Sequence, residues 1–158
     1  MKTITKKGTM FAALSLVVFS AAMSSFTVKP GGEGFEIYLN GKLLVQRFGN
    51  ELNSVQNIKL DQRNSTAHIS IKYHHCGRVG KNRYVAIKDA QNNLIKEWRF
   101  EDVKDAYASM SFSVKDILAV QKLGKVNTVA LYYSSSELPN GRKLASIVLP
   151  AKNAVAAK

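Results

Sequence analysis

The chain has 158 residues, 46% of them hydrophobic, and sets 23 lysines and arginines against 11 acids for a formal net charge of +12. A single cysteine excludes an intramolecular disulfide, so the fold must rest on its hydrophobic core. No stretch reaches the ~20 apolar residues of a membrane-spanning helix, and no catalytic serine motif, metalloprotease histidine pair or nucleotide-binding glycine pattern occurs.

Lys2, Lys6 and Lys7 precede an uncharged run from Phe11 to Met23, which is the layout of a secretory signal. Small residues at Ala22 and Ser24 favour cleavage there, so residues 1–24 are expected to be removed and the protein exported, to the periplasm or beyond the cell. The 134 residues that follow carry a net +9, since three lysines leave with the signal. That length suffices for one domain burying about two-thirds of its unfolded surface. Residues 25–34, with Gly31, Gly32 and Gly34, read as a flexible lead-in to a domain over 35–149.

Phe35, Ile37 and Leu39 alternate with Glu36 and Tyr38, and Asn40-Gly41 separates them from Leu43-Leu44-Val45. Asn-Gly between two such runs signals a hairpin, because both residues tolerate the positive φ of a type I′ turn. A strand is expected near 55–60. Thr66–His74 is the cleanest strand, with Ala67, Ile69, Ile71 and Tyr73 on one face and His68, Ser70, Lys72 and His74 on the other.

All three histidines and the only cysteine fall between His68 and Cys76. Imidazole and thiolate suit zinc and copper. His68 is excluded from any shared site, since six strand residues place it about 20 Å from His74. If the strand continues, His74 and Cys76 share a side, with His75 joining at a bulge; both histidines precede Cys76, unlike a blue-copper arrangement. The alternative is a strand end with two exposed histidines and a partly buried thiol. A thiol enzyme is disfavoured, because neighbours along a strand face opposite ways.

Gly77-Arg78-Val79-Gly80-Lys81-Asn82-Arg83 follows. Gly77 and Gly80 allow backbone N–H groups to converge, and Arg78, Lys81 and Arg83 add positive charge, so the loop is a candidate anion site and otherwise a solvated connection. Strands are expected at 83–88 and 94–100; Trp98 in the second is either a sugar-stacking platform, helped by Tyr132 and Tyr133, or a core anchor. Glu101–Asp105 lacks the ligand ladder of a calcium loop and reads as a solvated turn.

Ser109–Val114 is another half-buried strand, with Met110, Phe112 and Val114 inward. Ser113 and Asp116 form a helix start, Val114, Ile117 and Leu118 share a face, and Gly124 ends a helix of about 114–123 expected to plug one end of the sheets. Strands at 126–134 and 142–149 are apolar on both faces and read as a central hairpin, buried on both sides and turning at Leu138–Gly141. Residues 150–158 form a flexible tail.

Many short strands with turns between them specify an all-β, antiparallel two-sheet sandwich, immunoglobulin-like or jelly-roll, with one short helix. The functional expectation is an exported, non-enzymatic binding or interaction module without cofactor. The positive charge favours acidic polysaccharide or an anionic lipid surface, and another exported protein is a further partner class; nucleic acid is not expected. The alternatives are a zinc or copper protein using His74 and Cys76, and an enzyme using that thiol or other groups.

Overall fold

The computed structural model describes residues 32–124 and 127–150, with the side chains of 122–124 left aside; the segment read as a secretory signal, most of the expected lead-in and nearly all of the expected tail lie outside the described residues. β1 (Glu33–Leu39) and β2 (Lys42–Phe48) form the expected hairpin, with Asn40 and Gly41 at φ of 48° and 81°. β1 starts inside the segment read as flexible, because Gly34 and Glu33 pair with His74 and His75. β3 (Gln56–Lys59), β4 (His68–His75), β5 (Arg83–Lys88), β6 (Leu94–Phe100) and β7 (Met110–Ser113) follow. Helix α1 (Val114–Gly124) then leads to β8 (Thr128–Ser135) and β9 (Leu138–Val148).

Two sheets result, of order β2-β1-β4-β7 and β3-β9-β8-β5-β6. Neighbours are antiparallel except β3 and β9, which run parallel. The chain is an all-β sandwich. With β1, β4 and β7 in one sheet and β5, β6, β8 and β9 in the other, the partition follows the A-B-E and C-C′-F-G strands of an immunoglobulin-like sandwich.

The alternation read in the sequence places the core. Phe35, Ile37, Ile69 and Ile71 of the first sheet meet Val85, Ile87, Leu131 and Ile147 of the second, all fully buried. Each such side chain contributes about 1.5–3 kcal/mol through its removal from water. α1 begins where Ser113 Oγ accepts from Lys115 N at 3.2 Å, and it seats Val114, Ile117, Leu118 and Val120 in the core. Asp116 faces the other sheet, with Lys96 Nζ 3.5 Å away.

The reading of β8 and β9 needs correction. The reversal lies at Ser136–Glu137, and Pro139-Asn140-Gly141 belongs to β9, where Gly141 has φ 66° beside an irregularity in the ladder. The hairpin is central but buried on one face only: Val129, Leu131, Tyr133 and Ser135 point inward while Thr128, Ala130, Tyr132 and Ser134 face out. The other sheet covers the inner side alone, and small Ala130 and amphipathic Tyr132 tolerate half-exposure.

Candidate functional site

β4 ends at His75. Cys76 and Gly77 take φ of 54° and 81°, and Arg78 N donates to His75 O at 3.1 Å, a tight two-residue turn. The strand continuation that would align Cys76 with His74 is therefore lacking. Burial also differs from expectation: His74 and His75 are each 5% exposed, and the Cys76 thiol stands in solvent at the turn tip. Tyr73 and His75 face inward while His74 lies on the outer face. Among the described residues, no three His, Cys, Asp or Glu side chains converge as a metal-binding group.

Two backbone donors of the Gly77–Arg83 loop are engaged by the protein's own carboxylates. Lys81 N donates to Glu137 Oε2 at 2.9 Å and Asn82 N to Asp102 Oδ1 at 2.7 Å. Arg78 and Lys81 are exposed. Arg83, read in the sequence as a loop cation, is buried, and its guanidinium donates to Ala108 O at 3.1 Å and Glu101 O at 2.7 Å, fastening the 101–109 segment. Arg83→Leu should therefore cost about 2–3 kcal/mol in urea unfolding by stranding these carbonyls, while Arg78→Gln and Lys81→Gln stay within about 0.5 kcal/mol. Equal losses in all three would contradict this division.

Gly80 is buried because it lies against a polar end of the core: a Cβ there would meet Tyr133 Oη at 2.9 Å and His75 Nε2 at 3.0 Å. His75 Nε2 lies 2.9 Å from Tyr133 Oη and 3.3 Å from Ser135 Oγ. Tyr73 stacks on Tyr133 with centroids 4.3 Å apart, donates to Glu33 at 2.6 Å and accepts from Arg142 Nε at 2.9 Å. Burial pushes the Tyr133 phenol up to about 12, lifts that of Tyr73 further, and holds His75 below the ordinary histidine value. The cluster ties the sheets together but presents no open face for a substrate.

On the outer face of the smaller sheet, Phe48, Gly34 and His74 stand in register on adjacent strands. Phe48 leans across Gly34 onto His74, and Tyr107 covers His74 from the other side, with both ring centroids 5.2 Å from the imidazole. Neither His74 nitrogen has a hydrogen-bond partner; the nearest charge is Glu36, 3.8 Å from Nε2. No sequence pattern signalled this burial, since Tyr107 arrives from a remote loop.

The three aromatic residues proposed as a sugar platform separate. Tyr133 is in the core, and Trp98, half-buried, stacks on Phe112 at 4.4 Å with Lys96 over its ring at 5.3 Å. Tyr132 alone lies on the outer face of the larger sheet. Lys88 Nζ sits 4.6 Å from its ring centroid, and Lys143 is its partner across the ladder.

Shallow hollows of about 270 and 240 Å³ adjoin Tyr132, and Asn92 lines both. Each is below the ~300–1,000 Å³ of a small-molecule pocket, and together they make an open track across the strands. Hollows of about 360 and 350 Å³ lie elsewhere, the first lined by Arg99, Phe100, Glu101 and Asp102 among others and the second by residues of α1 and of the 62–66 segment, without an aromatic ring.

No family model and no curated protein matches this chain. The chemistry of its surface is what bears on function. Tyr132, Lys88, Lys143 and Asn92 combine an apolar ring, two cations and an amide at one place, and the backbone fixes all four: Tyr132 and Lys143 by ladder register, Lys88 and Asn92 by the end of β5 and its turn.

Proposed function

We propose that this protein is an exported, non-enzymatic binding module that holds acidic polysaccharide on the outer face of its five-stranded sheet. The observation that supports this reading is the Tyr132 ring between two open hollows, with Lys88 over it and Lys143 beside it. A sugar ring offers an apolar face to tyrosine, its carboxylate attracts the lysines, and Asn92 supplies an amide for hydroxyl groups. An open track accepts a chain that continues past it in both directions, whereas a closed pocket would not.

Binding of purified protein to polygalacturonate, with neutral dextran and anionic vesicles in parallel, tests the reading. Tyr132→Ala and the pair Lys88→Gln with Lys143→Gln should each weaken polygalacturonate binding about tenfold, a change of 1.4 kcal/mol. Lys42→Gln with Lys115→Gln removes the same charge elsewhere and should change it by less than about threefold at physiological salt, where exposed charges are screened within ~8 Å. Equal losses would reduce the interaction to overall charge. Binding to vesicles alone would transfer the site to lipid.

A further inference from the structure

The sandwich has four edge strands, and three are blunted. β3 and β7 have four residues each. β2 runs into the 3-10 turn Gly49–Asn53 and is bridged by Arg47, which donates to Gln46 O at 2.7 Å and Ser54 O at 3.4 Å. β6 has seven residues, pairs with β5 on one side only, and among the described residues no hydrogen bond from another element reaches its free edge. It also carries Leu94, the most exposed large apolar side chain described, at 57%. Such an edge is a template for another strand.

We propose that the protein self-associates through β6, two copies pairing this strand antiparallel about a dyad at Trp98. Directly opposed residues in an antiparallel pair share a face, so a dyad that keeps the two sandwiches layered alike must pass through a residue. Centred on Lys96, Glu97 or Arg99, it would set each of those charges against its own copy. Centred on Trp98, it places Glu97 opposite Arg99 of the partner subunit, and the symmetry makes that ion pair twice.

Glu97 and Arg99 are both exposed on the outer face; the Arg99 guanidinium lies over the Tyr84 ring, 5.7 Å from its centroid, a surface contact that leaves its remaining donors for Glu97 of the partner subunit. Trp98 opposes Trp98 of the partner subunit on the inner face, where its half-buried ring extends the stack on Phe112. Lys96 points inward too, which would ordinarily guard an edge, but its ammonium is turned to Asp116 and the indole face. Pairing makes one continuous ten-stranded sheet. An edge this short falls below the ~1,200 Å² of standard interfaces, so the dimer is reversible.

Sedimentation velocity from about 1 µM to about 1 mM, the range of weak specific interfaces, should show monomer passing to dimer. Emission of Trp98, the only tryptophan, should shift over the same range. Glu97→Arg and Arg99→Glu should each weaken dimerisation more than tenfold, and the double exchange should restore it, because the opposed charges are then unlike again. Thermal melting confirms that each variant is folded. A monomer throughout, single reversals without effect, or a double exchange that fails to restore the dimer would each overturn the proposal.

Discussion

Gly34→Ala should lower stability by about 2–3 kcal/mol, the cost of overpacking a close-fitted site, which for a domain of this size moves the melting temperature by roughly 10 °C. A Cβ at this position would lie 1.9 Å from Phe48 Cδ1 and 2.8 Å from the Arg47 carbonyl oxygen. The ring can swing aside, but it then leaves His74; the carbonyl belongs to the paired strand and cannot move without disturbing the β1–β2 ladder. The ring makes the two nearest contacts and the carbonyl the third. In a Phe48→Ala background the same glycine substitution should therefore cost distinctly less than in the parent, a coupling read from the four melting curves of a double-mutant cycle. Additive losses would show that backbone strain, and not the ring, carries the effect.

Acidification should destabilise the protein well before its carboxylates titrate. Burial holds both His74 and His75 below the ordinary histidine value. Glu36 opposes the shift at His74 while Lys72 adds to it; Glu137 and Glu33 oppose it at His75 while Arg78 and Arg83 add to it. With the folded values depressed, the unfolded chain takes up protons first as pH falls. The stabilisation is complete above the unfolded value of ~6.5 and is lost as pH drops through the lower folded values.

The urea midpoint should accordingly be flat from about pH 7 to pH 9 and fall clearly by pH 5, with an unchanged m-value. His74→Phe keeps an aromatic ring and removes two buried nitrogens without partners, so it should raise stability by about 1–3 kcal/mol at neutral pH and reduce the acid loss. A less stable His74→Phe protein would mean that the imidazole has a bonding partner. At the alkaline end, Tyr133 keeps its proton to about 12, above the ~10 of the unfolded chain, so stability should decline once pH passes 10.

The strands were legible where their causes are local. Asn40-Gly41 fixes a turn by backbone geometry, and Ala67, Ile69, Ile71 and Tyr73 declare a buried face by period alone. Val129–Tyr133 misled because an apolar run does not say how many faces are covered; that depends on whether a second layer packs outside β8, and none of the described residues does. The short turns at Gly49–Asn53 and Gln62–Asn64 went unseen for want of a periodic signal.

Side-chain roles were less readable still. Arg83 has the same charge as Arg78, and only the distant carbonyls of Glu101 and Ala108 make one structural and leave the other free. His74 is buried through Phe48 and Tyr107, neither of them near it in sequence. Alternation alone separates Tyr132 from Tyr133, but which of them faces out, and how far Tyr132 stands from Trp98, follows from the register of the assembled sheet.

The sheet order also dictates when the molecule can close during synthesis. Every strand of the smaller sheet has been made by Ser113, so that layer can assemble early. The larger sheet cannot: β8, its middle strand, and β9, which alone holds β3, are the last two strands among the described residues. Until they emerge, the β5–β6 hairpin has one side waiting, β3 has no neighbour, and the apolar face of the finished layer lies bare. Such late, long-range pairing slows folding and leaves growing chains open to association with one another. A chain stopped after α1 is therefore not a smaller version of this fold but half of a sandwich.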